Sequence, residues 1–361
     1  MSTLDNKINN NQDYKNNNKD NYYKKNNEQD NKNNRDNNIK NNSIQADVIG
    51  FGALNLDKLF YVNDIAHEDE ESFIKDLDQN PGGSASNTII GLSRLGLSVS
   101  YIGKIANDEE GEFLKKNLIL EGVLTNNLIV AKNGCSGKVL GFINENGERA
   151  LYVDSGVNDE IAIDEINIDQ IKNAKIIHYT SFVGNSFQTQ NNLLEFLPES
   201  IILSFDPGHI YAKKKISSLK KILNRTNILL INEKELKLLF EDYYLRKNKF
   251  KSKSLNYREI AINILNDGIE NIIVKRGEKG VYAINNKNEE VKIPAYNCEV
   301  IDTTAAGDSF NAGFLFSYLN DYSLKKSCMI GNWAASKCIE NIGIKGLPVK
   351  NELKKFENSI K

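Results

Sequence analysis

The sequence predicts an α/β protein with a mainly parallel central sheet flanked by helices and a small antiparallel sheet at its edge. From residue 175 onward, short apolar segments alternate with helical segments, and this alternation implies right-handed βαβ crossovers in a mainly parallel sheet. Segments near 58–80 and 138–153 do not follow the alternation and predict the small antiparallel sheet. The chain has 361 residues, 40% of them hydrophobic, and without a visible repeat or second core we expect one large domain.

The first 45 residues differ in composition from the rest of the chain. More than a third of them are Asn, most others are Lys, Asp and Gln, and aliphatic residues are almost absent. Such a segment cannot bury enough apolar surface to offset chain entropy. We therefore predict a disordered tail over 1–45 and a folded domain over 46–361. The tail lacks the apolar region of a signal peptide, and its acidic residues argue against a transit peptide.

The first predicted elements of the folded domain are a strand, a helix and a further strand–helix pair. "DVIGFG" predicts a buried strand followed by a polar turn at 55–57. The breaker at 81–83 precedes a helix for which Ser84 is a candidate N-cap and Gly96 a candidate left-handed C-cap. "SVSYIGKI" then predicts a strand and "EEGEFLKKNLILEG" a helix. The Asn-Gly pair at 146–147 lies between two apolar runs and predicts a β-hairpin.

In the second half of the chain, strands and helices alternate regularly. Four strands are predicted from the apolar segments "KIIHY", "IILSFD", "NILLIN" and "NIIVKRG". Helices are predicted near 187–197, 213–223, 233–240 and 257–267. A strand-like "VKIPAYNCEVI" then leads into "SFNAGFLFSYL", which predicts a helix because Phe310, Phe314 and Leu315 fall on one helical face.

Composition excludes several classes of protein. The formal net charge of −2 argues against nucleic-acid binding driven by bulk electrostatics, and no apolar run reaches the roughly 18 residues of a membrane span. His67 and His178 are expected to have structural roles. The cysteines lack CxxC spacing, which predicts reduced thiols in a cytoplasmic protein and no zinc site; they are Cys135, Cys298, Cys328 and Cys338.

The stretch "DTTAAGDSFNAGF" from Asp302 to Phe314 combines bare backbone with a carboxylate at a helix start. Ala305, Ala306 and Gly307 are predicted in the first turn, where N–H groups lack helical partners and the dipole is positive. Small side chains leave these donors open to phosphate oxygens. Asp308 is consistent with two roles, a carboxylate that complements the helix dipole or a general base beside a phosphate.

A second group of polar residues follows the first predicted strand and the glycine pair. Asn55 and Asp57 come after the strand, and Asn87 lies one turn into the helix that follows Gly82-Gly83. Adjacent glycines let a ligand approach the backbone, and an amide both donates and accepts hydrogen bonds. In sheets of this kind ligands bind at the carboxyl ends of the strands, so the sequence predicts a polyol pocket there.

Together, "DTTAAGD", "GGSASN" and the early "GALNLD" resemble the ribokinase (PfkB) family of sugar and nucleoside kinases over residues 46–350. Many family members have Gly at the position of Ala305, and Ala at this position is typical of ribokinases. The resemblance implies a ribokinase-like fold and Mg²⁺- and ATP-dependent transfer of a γ-phosphoryl group to a hydroxyl. It also implies that the antiparallel insert is a lid over the sugar and a homodimer contact.

The resemblance further implies a role for each matching residue. Asp308 would be the catalytic base, with an anion hole of Ala305, Ala306 and Gly307. The sugar would be held by Asn55, Asp57, Gly82, Gly83, Asn87 and Glu148. The nucleotide side would comprise Asn232 and Glu235 near the phosphates and Mg²⁺, Lys275, Gly277 and Gly280 along the nucleotide, and Asn332 at the adenine. Asp302 and Thr304 match a monovalent-cation site, which makes K⁺ a candidate cofactor.

Three alternatives for the function stay open. Ser84-Ala85 stands where ribokinases have Lys-Gly, so a nucleoside, a ribose phosphate or another furanose is as plausible an acceptor as free ribose. A phosphosugar such as fructose 6-phosphate would need cations in the pocket, for which Arg94, Lys104 and Lys138 are candidates. A catalytically silent sugar sensor on the same fold is the third, and a dinucleotide-binding Rossmann site is disfavoured because no GxGxxG follows the first strand.

Overall fold

A computed structural model describes residues 45–214, 216–247 and 254–360. Gln45–Lys361 is one compact unit, and residues 1–44 of the tail predicted over 1–45 lie outside the described residues. The strands are β1 (Val48–Phe51), β2 (Asn55–Val62), β3 (Ile74–Gly82), β4 (Val99–Ala106), β5 (Leu128–Ala131), β6 (Gly137–Ile143), β7 (Arg149–Asp154), β8 (Ile176–Tyr179), β9 (Ile202–Phe205), β10 (Ile228–Asn232), β11 (Asn271–Lys275), β12 (Val281–Asn285) and β13 (Glu290–Ile293).

Helices connect most of these strands, as the alternating pattern predicted. They are α1 (Ser84–Leu95), α2 (Glu109–Leu120), α3 (Ile168–Ile171), α4 (Ser186–Leu193), α5 (Gly208–Ala212), α6 (Ile216–Arg225), α7 (Glu233–Lys247), α8 (Tyr257–Asn266), α9 (Ala306–Leu319), α10 (Leu324–Ile339) and α11 (Lys350–Ser359). In the described part of the chain, no helix is long and apolar enough to cross a membrane.

The main sheet has nine strands in the order β13-β12-β11-β10-β9-β8-β1-β4-β5. Its strands are parallel from β5 to β11, and β12 and β13 extend it by antiparallel pairing. The predicted mainly parallel sheet is thus confirmed. Its parallel strands end at a common edge, where α/β proteins bind ligands.

The small sheet has four strands in the order β3-β2-β6-β7. The hairpins β2–β3 and β6–β7 are antiparallel, and Gly147, with φ of 78°, forms the turn predicted for the second hairpin. β2 and β6 pair in parallel. The predicted inserts therefore form one sheet, which we call the lid sheet, and two of its three pairings are antiparallel.

Helices cover both faces of the main sheet because its inner strands are apolar on both sides. In β10, Leu229 and Ile231 belong to a core shared with α4, α6, α7 and α8. Ile228 and Leu230 point the other way, into a core shared with α1, α9 and α10. This second core joins the two helices whose starts carry the motifs singled out in the sequence.

Local predictions differ from the structure at four places. Residues 55–57 are not a turn but the start of β2. Gly83, with φ of 108°, is the N-cap of α1, and Ser84 is its first helical residue; Gly96 is the left-handed C-cap as predicted. The strand predicted over "VKIPAYNCEVI" ends at Ile293, because the proline that follows cannot donate to the ladder. α7 continues well beyond the predicted residue 240.

Candidate active site

The starts of α1 and α9 meet at Asp308. Ser84 Oγ donates to Asp308 Oδ1 at 2.5 Å, and Asn87 Nδ2 donates to Asp308 Oδ2 at 2.8 Å. The two motifs, 221 residues apart in sequence, are thus in direct contact. Ser84, a predicted N-cap, instead holds the carboxylate, and Asn87, predicted to grip a diol, does the same with its amide nitrogen.

Asp308 lies deep in the protein although its side chain is partly accessible. Removal from water raises the pKa of its carboxyl group above the ordinary value, and the nearby Asp206 adds to this. The hydrogen bonds from Ser84 and Asn87 and the charge of Lys275 favour the ionised form and limit the increase. A carboxylate with a raised pKa is a stronger base than an ordinary Asp.

The predicted anion hole lies beside this carboxylate. Ala305 has a left-handed conformation with φ of 60° and caps α9, and Ala306 is the first helical residue. The N–H groups of such a first turn lack helical acceptors. A Cβ on Gly307 would lie 3.5 Å from Lys275 Nζ, so an ammonium group stands next to the hole.

The residues of the predicted polyol pocket come from β2, β3 and the start of α1. A Cβ on Gly82 would come within 2.4 Å of Asp57 Oδ2, and a Cβ on Gly83 within 2.2 Å of the Ala53 carbonyl oxygen. Both glycines are therefore needed for β2 to approach the start of α1. Burial raises the pKa of Asp57 to about 6. As at Asp308, the ionised carboxylate loses favourable hydration in the folded protein.

Asn55 is held by a residue that sequence reasoning missed. Asn158 Nδ2 donates to Asn55 Oδ1 at 2.8 Å and to the Leu54 carbonyl oxygen at 2.9 Å, and Asn158 Oδ1 accepts from Leu54 N–H at 3.1 Å. Asn158 is buried and fixes the start of the lid sheet. It lies outside any strand or motif, so nothing in the sequence singles it out.

Lys275 is part of a second buried cluster. Its Nζ lies 2.7 Å from Asp206 Oδ2 and 3.0 Å from Asn311 Oδ1, and Asn311 Nδ2 donates to Asp206 Oδ2 at 2.7 Å. Sequence reasoning missed Asp206 and Asn311. Asp206 directly follows β9, at the same strand edge as the other site residues, and that position was the available signal.

Asn232 and Glu235 lie together where β10 meets α7. Asn232 Oδ1 accepts from Glu235 N–H at 2.8 Å. Burial and then the charge of Asp206 raise the pKa of Glu235, an arrangement that a divalent cation would relieve. Among the described residues no group of three or more His, Cys, Asp or Glu could hold a metal. The Glu235 carboxylate fits a Mg²⁺ that keeps several waters and is also bound by substrate phosphates.

The predicted nucleotide loop has an internal backbone hydrogen bond and packs closely against the end of β13. Arg276 N–H donates to the Gly280 carbonyl oxygen at 2.8 Å, and a Cβ on Gly280 would come within 2.0 Å of the Ile293 carbonyl oxygen. Gly277 takes φ of 58° at the start of the turn. Asn332 Nδ2 donates to the carbonyl oxygens of Ile293 and Pro294 at 3.2 and 2.9 Å, so its amide nitrogen fixes backbone.

Asp302 organises the loop before the anion hole. Its carboxylate accepts from Thr304 N–H at 2.9 Å and Thr304 Oγ1 at 2.7 Å, and from Gly343 N–H at 2.8 Å. Although burial opposes it, these hydrogen bonds lower the pKa of Asp302. The carboxylate is thus ionised at neutral pH, and it links its own loop to the segment at Gly343.

Other candidates are engaged away from Asp308. Glu148 is exposed and accepts from Asn144 Nδ2 at 2.8 Å within the hairpin turn. Three candidate phosphate-binding cations have carboxylate partners: Arg94 with Glu121, Lys104 with Glu165 and Lys138 with Asp154. His178 is fully buried with Nδ1 3.0 Å from Ser204 Oγ, consistent with the predicted structural role.

The chain is similar in sequence and fold to known proteins. The family described as pfkB family carbohydrate kinase matches residues 45–350. An uncharacterized sugar kinase of Archaeoglobus fulgidus is 40% identical over 72% of this chain and 98% of its own. An ATP-dependent ribose-1-phosphate kinase of Halopiger xanaduensis is 24% identical over 86% and 97%. The crystal structure of a Thermotoga maritima ribokinase superposes with a TM-score of 0.74, at 22% identity, over 87% and 99%.

Proposed function

The chain belongs to the pfkB family of carbohydrate kinases, which transfer phosphoryl groups to alcohols, and from this premise we propose that it phosphorylates a hydroxyl of an uncharged sugar or nucleoside with ATP. One observation carries the proposal. Ser84 and Asn87 hold the Asp308 carboxylate beside the N-terminus of α9. A base is then next to an anion site, an arrangement that phosphoryl transfer requires.

In the proposed reaction the acceptor oxygen bonds to the γ-phosphorus as the bond to the bridging oxygen of ADP breaks. The hydroxyl proton passes to the Asp308 carboxylate. The N–H groups of the first turn of α9 hold the transferring group, which is mainly a matter of positioning and charge neutralisation. Mg²⁺, held through Glu235 and Asn232, would neutralise charge on the phosphates.

The preference for an uncharged acceptor rests on the cations of the described residues. Arg94 also donates to the carbonyl oxygens of Ile344 and Leu347, and Lys104 donates to both carboxylate oxygens of Glu165. The acceptor side itself presents Asp57 and Asn55. The phosphate of a phosphosugar would lie near the Asp57 carboxylate, and neither Arg94 nor Lys104 would be available to neutralise it.

A phosphosugar acceptor is the second candidate because of one lid residue. Arg149 is exposed at the start of β7, and its charge acts on Asp302, so it lies within electrostatic reach of the anion-hole loop. A relative named for ribose 1-phosphate adds support. If this candidate is right, Arg149→Ala will abolish turnover of the phosphosugar.

We also propose K⁺ at Asp302 and Thr304, dimerisation through the lid sheet, and a cytoplasmic location. The first is supported by the ionised carboxylate of Asp302 beside the anion hole. The location is supported by cysteines that are all free thiols, as expected in a reducing compartment. We also propose Glu148 and Asn332 as sugar and adenine contacts: their hydrogen bonds use Glu148 Oε2 and Asn332 Nδ2, and the other carboxylate oxygen and the amide oxygen can accept hydrogen bonds from ligands.

The test is a coupled ADP-release screen over free sugars, nucleosides and sugar phosphates. We expect an uncharged acceptor to stimulate turnover, and Asp308→Asn to lower kcat by about 10²–10⁴-fold, the usual contribution of a general base. Asp169→Asn, a matched change of an exposed carboxylate, should have no effect. If no acceptor stimulates turnover above the Asp308→Asn level, the protein is a sensor on a kinase fold.

A further inference from the structure

The side chain of Lys275 lies closer to the predicted anion hole than its role in a nucleotide loop would require. It ends β11, and its side chain points toward the first turn of α9 rather than along the loop over 276–280. Its Nζ contacts Asp206 and Asn311 and lies 3.5 Å from the Cβ position of Gly307. The ammonium group is therefore at the anion hole, next to the site of phosphoryl transfer.

The contacts of the Lys275 ammonium group leave one of its N–H donors for a ligand. A lysine ammonium has three N–H donors, and the contacts with Asp206 and Asn311 account for two of them. Gly307, which has no side chain, borders the ammonium group. The third donor can therefore reach a phosphate oxygen bound to the N–H groups of this turn.

From these contacts we infer that Lys275 binds the γ-phosphoryl group during its transfer and is a catalytic residue. Asp206 and Asn311 are positioning residues that fix the ammonium group. The inference rests on the proposed kinase activity and deepens it. The Lys275 ammonium group neutralises charge on the transferring oxygens, while the acceptor proton goes to Asp308.

The ion pair with Asp206 offsets the free-energy cost of burying the Lys275 ammonium group. The side chains of Lys275 and Asp206 are only 14% and 7% exposed, and an isolated buried charge would be costly. Paired, they hold a rigid cation in a site of low dielectric, where it acts more strongly on phosphate than in water. A purely structural pair would not need to lie beside Gly307 and the first turn of α9.

Lys275→Met tests the inference, with Lys104→Met as a matched control. Lys104 is also a largely buried strand lysine paired with a carboxylate, but its partner Glu165 lies outside the site. We expect Lys275→Met to lower kcat by about 10²–10³-fold, the usual loss for one donor to a developing anion, with the Kd of Mg·ADP changed less than about threefold. Lys104→Met should leave kcat and Kd unchanged.

A binding readout separates this inference from the proposed function. Calorimetry would measure Mg·ADP binding with and without aluminium fluoride, a mimic of the transferring phosphoryl group. We expect fluoride to tighten Mg·ADP binding in the wild type and not in Lys275→Met. Equal tightening in both proteins overturns the role of Lys275 whatever the acceptor. A wild type that turns over no acceptor overturns the kinase proposal, and with it the catalytic role of Lys275, even where the fluoride response differs between the two proteins.

A second variant guards against misfolding. Lys275→Met leaves the Asp206 carboxylate buried without its cation, which is strongly destabilising. The double variant Asp206→Asn with Lys275→Met removes both charges and keeps the hydrogen bond to Asn311. It should fold and show the same loss of kcat and of fluoride response; normal values for both would contradict the inference.

Discussion

Among single residues, Asp57 shows most directly how the site opposes stability. Its carboxylate is packed against Gly82, and burial raises its pKa from 3.8 to about 6. The folded protein thus binds this proton more tightly than the unfolded chain does. Above pH 6 the ionised group destabilises the fold, and the difference in pKa corresponds to about 3 kcal/mol. Such a cost is typical of a group kept for binding.

Asp57→Asn should therefore stabilise the protein and weaken acceptor binding. At pH 7.5 we expect the free energy of unfolding to rise by about 2–3 kcal/mol, and the gain to vanish as pH falls from about 6 to below 4, where the wild-type carboxyl is protonated in both states. Urea titrations at several pH values measure this. The acceptor KM should rise at pH 7.5. A constant stability difference across pH would show that ionisation is not the cause.

At the level of elements, one face of the lid sheet carries stacked and exposed apolar side chains. Asp57 lies on one face, and the residues that alternate with it lie on the other. There, Phe60 and Phe142 stack with ring centroids 5.2 Å apart, and Tyr152 and Leu77 are 62% and 39% exposed. An exposed apolar sheet face beside the acceptor side is suited to a second copy of the chain.

We expect the wild-type protein to be a dimer and Leu77→Asp to dissociate it, because a buried charge without a partner is costly at an interface. Light scattering after size-exclusion chromatography measures the mass of each. Ile119→Asp, on the exposed surface of α2, is the matched control and should stay dimeric. A monomeric wild type, or dissociation by Ile119→Asp instead, would contradict the role of the lid sheet.

The sequence was informative about elements and less so about their pairing. Apolar strands such as β10 and the Asn-Gly hairpin follow from local periodicity and turn chemistry. The parallel pairing of β2 with β6 does not follow from local sequence. It joins segments about 80 residues apart through backbone hydrogen bonds, which every residue but proline can form. The same reason explains why residues 55–57 were predicted as a turn: polar strand starts resemble turns locally.

For the whole molecule, the site depends on how closely α1 and α9 approach. A Cβ on Gly91 of α1 would come within 2.7 Å of Ala312 Cβ in α9. These small residues set the distance at which Ser84 and Asn87 reach Asp308. The sequence predicted each motif and the shared strand edge, but not this contact, nor Asp206, Asn158 and Asn311, since helix packing is decided by side-chain shape across the core.

The boundary of the folded unit gives the last prediction. Gln45 is the first residue of the compact unit, and its carbonyl oxygen accepts from Ser98 Oγ at 3.0 Å. Asp47 lies in the structure proper: its carbonyl oxygen accepts from Lys175 N–H at 2.9 Å, and its carboxylate pairs with Lys175 Nζ at 2.8 Å. Removal of 1–44 should therefore spare every one of these contacts.

We expect a chain lacking residues 1–44 to keep the Tm and kcat/KM of the full chain, because the Asn-rich composition of that segment cannot support a core. A chain lacking 1–47 should lose about 1–3 kcal/mol of unfolding free energy, since backbone hydrogen bonds worth roughly 1 kcal/mol each are removed. Parallel thermal and urea unfolding of the two truncations measures the difference. A large loss of Tm or activity on removing 1–44 alone would show that the tail is part of the functional protein.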